Sequence, residues 1–69
     1  MNELSDFIKS KRKQAHLTQE ELAAKAGVGL RFVRELEKGK STLRLDKVDQ
    51  ILQLFGHKVG PVPTQRELE

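Results

Sequence analysis

Apolar residues recur along this chain in short helical rhythms, each closed by a residue that stops a helix. Leu4, Phe7 and Ile8 share one face, with Ala15 two turns on, which predicts a first helix over about residues 2–16 capped by Asn2 or Ser5. Thr18 then stands three residues before Glu21, the spacing of a capping box, and opens a second helix over about residues 19–26. Gly27 ends that helix, because glycine enters the left-handed turn at a helix C-terminus without a steric penalty. A turn over residues 27–29 leads to a third helix over about residues 30–38, stopped by Gly39. Leu22, Val28, Val33 and Leu36 are spaced to close a wedge between these two short helices, and Ala23 is small enough to let them cross closely. After a polar loop, Leu45, Val48, Ile51, Leu52 and Phe55 repeat at three- and four-residue intervals, giving a fourth amphipathic helix that ends at Gly56. Residues 57–63 lose the rhythm, and Pro61 and Pro63 deny them a helix interior, so they read as extended chain with Val59 on a candidate edge strand. Residues 64–69 are expected to fray.

At 69 residues the chain has room for one small domain with a thin core, which favours help from a partner subunit. The absence of cysteine excludes disulfides and thiolate metal sites. No apolar run approaches the roughly 20 residues that span a bilayer, and no signal-peptide pattern opens the chain, so a cytoplasmic, nucleoid-associated protein with no membrane partner is expected. A net charge of +3 suits a polyanionic partner, but the excess is modest and the placement of the charges has to carry the reading.

Two short helices packed across a tight turn form a helix-turn-helix, an arrangement that reads DNA by laying its second helix in the major groove. With Val33 and Leu36 turned inward, Leu30, Arg31, Arg34 and Lys38 point outward and are the candidate base contacts. The planar arginine fork bonds guanine O6 and N7 together, worth about 1–3 kcal/mol of discrimination. The competing reading is a surface ion pair between Arg31 and Glu35, worth about 0–1 kcal/mol. Candidate phosphate contacts are Thr18, Gln19 and Gly29 at the two helix starts, and Lys40, Ser41 and Thr42 beyond the third helix. Each has an alternative as an ordinary solvated residue. The basic run Lys9, Lys11, Arg12 and Lys13 is more often a solvated face than a DNA contact. Phe32 falls between the inward and outward stripes, within reach of a thymine methyl or a protein partner. His16 and His57 lack partners at a ligand spacing, and no phosphate loop or nucleophile motif occurs, so no catalytic residue, metal or cofactor is expected. The thin core and the apolar extension point to a homodimer closed by Phe55, His57, Val59 and Val62, reading an inverted repeat whose half-sites lie about 34 Å apart.

The run Leu17-Thr-Gln-Glu-Glu-Leu-Ala-Ala-Lys-Ala-Gly-Val, followed by Val33-Arg-Glu-Leu-Glu-Lys-Gly, resembles the Cro and phage-repressor class of helix-turn-helix regulators. That resemblance implies homodimers on palindromic operators, with a residue like Gln19 on phosphate and the start of the third helix on bases. A narrower match, through Gly29-Leu-Arg-Phe-Val-Arg-Glu-Leu-Glu-Lys-Gly-Lys, Arg44-Leu-Asp-Lys-Val and Leu54-Phe-Gly-His, is similar to HipB-type antitoxins. It implies repression of the protein's own operon, binding of a HipA-type serine/threonine kinase toxin, and dimers closed by a short C-terminal strand, here about residues 57–62. Pro61 bears on the length of that strand. The kinase is expected on the polar faces of the first and fourth helices, including Lys9, Lys13, Asp46, Asp49, Gln50 and Gln53, leaving the arginines for DNA. Two departures from that resemblance stand out: Gly29 replaces the usual polar cap, and Phe32 replaces a serine or threonine, which removes the hydroxyl that would bond a phosphate there. The expectation is an all-α, four- to five-helix lambda-repressor-like domain over residues 2–56, with residues 57–69 as an extension that supplies a candidate intersubunit β-strand. A stand-alone regulator, an interaction module without DNA binding, and an enzyme remain as alternatives.

Overall fold

The computed structural model describes residues 2–61 and contains α1 (Glu3–Gln14), α2 (Gln19–Ala26), α3 (Leu30–Glu37) and α4 (Leu45–Leu54). The fold is all-α, with no strand and no fifth helix among the described residues. Asn2 caps α1: its side chain accepts the Ser5 N–H at 2.8 Å while Ser5 Oγ accepts the Asn2 N–H at 2.9 Å. Ser5 is fully buried, yet its hydroxyl also donates to the Asn2 carbonyl at 2.9 Å, so burial leaves no polar atom without a partner. The helix ends earlier than its apolar rhythm suggests, with Ala15 as an exposed cap and His16 in the left-handed region at φ 58°. That turn is held by N–H donation from His16 to Lys13 and from Leu17 to Arg12.

Ile8, Leu22, Ala23, Val33, Leu36, Val48, Ile51 and Leu52 form the core, with one or more residues from every helix. Half-buried Leu4, Phe7, Val28, Leu30, Phe32 and Phe55 pack around it. α3 lies against both α2 and α1, and α4 packs on α2, so α3 is fixed from two sides.

An ion pair crosses this core. Arg12 Nε donates to Glu37 Oε2 at 2.7 Å and Nη2 to Oε1 at 3.1 Å, a bidentate fork between α1 and α3. Arg12 Nη1 also donates to the Leu17 carbonyl at 2.8 Å, and Gln19 Nε2 donates to Glu37 Oε1 at 3.1 Å, so α2 joins the same network. Arg12 therefore leaves the basic run read from the sequence and faces inward. Burial pushes the Glu37 carboxyl up, but the hydrogen bonds from Arg12 and Gln19, aided by the charges of Arg12 and Lys9, outweigh it and hold the group below its ordinary value.

Beyond Gly56, at φ 75°, the His57 N–H closes α4 on the Leu52 carbonyl at 2.9 Å. Within the single chain residues 57–61 form no strand, and the Val59 N–H donates to Asp49 Oδ1 at 2.8 Å. Val62 and residues 64–69 lie outside the described residues.

Gly29 is the N-cap of α3 with no side-chain hydrogen bond, and its φ of −78° makes no demand for glycine. A Cβ there meets nothing within 4 Å. Gly29→Ser is therefore expected to stabilise the domain by about 0.5–1 kcal/mol, through a restored cap and a less flexible unfolded chain. Urea titration of the free protein checks this, and a midpoint at or below that of the wild type would contradict it.

Candidate nucleic-acid interface

The wedge between α2 and α3 follows from three local choices. Thr18 accepts the Glu21 N–H at 3.1 Å and Glu21 returns the bond to the Thr18 N–H at 2.8 Å, completing the predicted capping box. These backbone and side-chain bonds from Thr18 hold the Glu21 carboxyl below its ordinary value. Gly27 follows at φ 76°, and the Gly27 and Val28 N–H groups both close on the Ala23 carbonyl at 3.0 Å. A Cβ on Gly27 would make only ordinary contact with Gln50 Nε2 at 3.5 Å, so the backbone angle, not space, requires the glycine. Gln50 itself reaches from α4 to donate to the Ala26 carbonyl at 3.2 Å and the Gly27 carbonyl at 3.4 Å, bracing the turn from behind.

With Val33 fully buried and Leu36 1 % exposed, α3 turns Arg31, Arg34 and Lys38 to solvent along one face. Arg31 has 90 % of its side chain exposed. Its Nε lies 3.5 Å from Glu35 Oε2, and Lys40 Nζ approaches the same oxygen at 3.4 Å from beyond the helix. Arg31 thus pairs with Glu35 while most of its side chain stays in solvent. Ser41 and Thr42 are exposed in the following loop.

The helix-turn-helix family pattern matches residues 8–58 of this chain. An uncharacterized HTH-type transcriptional regulator from Sinorhizobium fredii, y4mF, is 46 % identical over 54 residues, which cover 78 % of this chain and 71 % of that protein. The chain belongs to the helix-turn-helix family. Its four-helix, all-α core is the lambda-repressor-like fold, the architecture of Cro-type DNA-binding regulators.

Several residues of this helix-turn-helix protein stand elsewhere than their spacing suggested. Leu30 is half-buried against the core and not on the outer stripe, because it sits one turn before Val33 and Arg34, on the margin of the buried face. Gln19 is half-buried and bound to Glu37, which leaves its second amide hydrogen for any phosphate. Thr18 and Gly29 are exposed at the helix starts. Phe32 is half-buried on the core, with Lys47 Nζ 5.8 Å from its ring centroid, a cation–π contact between α3 and α4. Of the basic run, Lys11 lies over the Phe7 ring at 5.7 Å and only Lys13 is exposed, while Lys9 is half-buried.

The residues expected at a subunit contact divide. Phe55 is half-buried in its own domain. The exposed His57 places its ring edge-on to Phe7, with centroids 4.8 Å apart, and its Nδ1 lies 2.8 Å from the Phe55 carbonyl. Val59 remains 38 % exposed, as do Leu45 at 66 % and Leu54 at 41 %. Among the described residues no group of His, Cys, Asp or Glu can hold a metal ion, and no helix is long and apolar enough to cross a membrane.

The Arg12–Glu37 pair and the Gln50 brace were absent from the sequence reading. One signal for the pair exists in hindsight: Glu37 continues the inward stripe one position after Leu36, where an acid needs a buried cation as partner.

Proposed function

We propose that this protein is a sequence-specific, dimeric DNA-binding repressor, and that it serves as the HipB-like antitoxin of a toxin–antitoxin operon, repressing that operon and binding a HipA-type kinase in the cytoplasm. The observation that carries the DNA reading is the single exposed face of α3: Arg31, Arg34 and Lys38 project from a helix whose opposite face is locked into the core. A rigid helix presenting guanidinium groups at a fixed angle is what base reading in the major groove requires. Lys40, Ser41 and Thr42 then continue along the backbone, and Gln19 and the exposed starts of α2 and α3 supply further phosphate contacts.

The test is direct. Arg31→Ala and Arg34→Ala should each weaken binding to the selected operator by about 1–3 kcal/mol, roughly 5- to 150-fold, with an unchanged circular dichroism melt. Unchanged affinity in both variants removes this face as the reader. Exposed Leu45, Leu54 and Val59 support a second copy as partner, since a small domain gains from covering such side chains. Equilibrium sedimentation that finds a monomer, both free and on an inverted-repeat duplex, would refute the dimer.

The antitoxin reading rests on the residue matches through Gly29–Lys40, Arg44–Val48 and Leu54–His57. A kinase held while DNA is bound would use the outer faces of α1 and α4, where Lys13, Asp46 and Gln53 are exposed. Gln50 is less suited to that role, since its amide braces the turn. Co-purification with the neighbouring gene product, followed by a mobility shift, checks both parts; failure to co-purify leaves the stand-alone repressor.

A further inference from the structure

We propose that Glu35 is a positioning residue for DNA recognition: it anchors Arg31 through Nε, leaves the terminal guanidinium nitrogens for a base, and restrains Lys40 from indiscriminate phosphate contact. The inference rests on the reading that α3 enters the major groove. Its basis is the shared oxygen Oε2, which lies 3.5 Å from Arg31 Nε and 3.4 Å from Lys40 Nζ. The carboxylate is the fixed member, because the Glu35 side chain is 30 % exposed against 90 % for Arg31 and 46 % for Lys40. An arginine this exposed samples many rotamers, and ordering it on a base costs conformational entropy. An anchor at Nε removes part of that cost in advance and leaves Nη1 and Nη2 free to meet guanine O6 and N7 end-on.

The same carboxylate has a second consequence. A negative charge set among cations that face a phosphate backbone repels every DNA sequence alike, so it lowers non-specific affinity. That repulsion scales both affinities, so the gain in recognition comes from the Arg31 anchor, because specificity is a ratio of affinities. A pair of exposed ions that did nothing for DNA would shift specific and non-specific binding together.

The experiment uses the full chain and two duplexes: the one it selects from a random pool, and a scrambled duplex of equal length and composition. Anisotropy titrations at several KCl concentrations give both affinities and their salt slopes. Glu35→Gln should bind the scrambled duplex a few-fold more tightly with a steeper salt slope, while the selected-to-scrambled ratio falls about tenfold. Glu35→Asp keeps the charge but shortens the reach to Arg31, so it should lower the ratio without tightening scrambled binding. In an Arg31→Ala background, Glu35→Gln should leave the ratio unchanged. An unchanged ratio in Glu35→Gln overturns the proposal, and so does a fall that persists in the Arg31→Ala background, which would make Glu35 a direct reader of cytosine. If the wild-type chain selects no duplex, the DNA reading itself fails before any variant is made. Thermal melts exclude loss of fold as the cause.

Discussion

Arg12→Ala is expected to remove most of the stability of this domain, about 3 kcal/mol out of a total near the low end of roughly 5–15 kcal/mol. The change leaves Glu37, whose side chain is 2 % exposed, as a buried anion with the Gln19 amide as its remaining side-chain hydrogen-bond partner. It also leaves the Leu17 carbonyl without its donor. Most of the loss is the penalty of an uncompensated buried charge, and not the value of the pair itself. Replacing both partners by apolar residues, as in Arg12→Met with Glu37→Leu, should therefore recover much of what the single change loses. Urea denaturation of the three proteins measures this. A single variant that loses less than about 1 kcal/mol would mean that water reaches Glu37 readily, and that the pair behaves as a surface contact.

The same carboxylate sets an acid limit. Because the folded protein holds Glu37 below its ordinary value, the folded state binds fewer protons there than the unfolded chain does at mildly acidic pH. Its contribution is complete above the unfolded value and is lost as the pH falls through the folded one. Glu21 and Asp46 are shifted in the same direction by Thr18 and Arg44, but both carboxylates face solvent and contribute to the same limb weakly. Glu37→Gln should accordingly be less stable than the wild type at neutral pH, with the gap narrowing below about pH 4. Melting curves from pH 7 to pH 3 test it; a gap that widens with acid would reverse the sign and rule out the assignment.

The backbone of this fold was legible wherever a local rule acts alone. Thr18 with Glu21, Gly27 after Ala26, and the stripes of Leu22, Val33 and Leu36 each specify their element without help from distant chain, and each stands where its spacing placed it. What the sequence left hidden lies where two elements meet. Arg12 was indistinguishable from its neighbours Lys11 and Lys13 until α1 had been docked on α3, because only the packed helices reveal which cation faces Glu37. Leu30 sits on the margin between inward and outward stripes, where a few tens of degrees of helix rotation decide burial, and Gln19 is half-buried because its amide reaches Glu37 of α3. The extension after Gly56 reads as extended chain because it loses the helical rhythm and meets Pro61, and residues 57–61 form no helix; what no local rule shows is that the Val59 N–H is held by Asp49 of α4. The outer face of the third helix was read as Leu30, Arg31, Arg34 and Lys38; the three cations are exposed, Leu30 is half-buried, and the ion pair from Arg31 to Glu35 is present.

Leu36→Ala should separate the stability of the domain from its recognition of DNA. Leu36 is 1 % exposed and seats α3 on the core, so truncating it costs about 3 kcal/mol through lost burial and the cavity left behind. In a domain this small, each kcal/mol moves the melting temperature by about 4–8 °C, which places the variant some 12–24 °C below the wild type. A residual stability of about 2 kcal/mol still keeps more than roughly nine molecules in ten folded at 25 °C, and only folded molecules bind. The apparent operator affinity should therefore drop less than twofold at 25 °C, with the salt slope unchanged, and excess duplex should raise the melting temperature towards the wild-type value. Arg31→Ala should do the reverse, keeping the melt and losing the affinity. Leu36→Ala that loses tenfold or more in affinity while circular dichroism reports a folded chain would show that the angle at which α3 is seated, and not only its exposed arginines, governs binding.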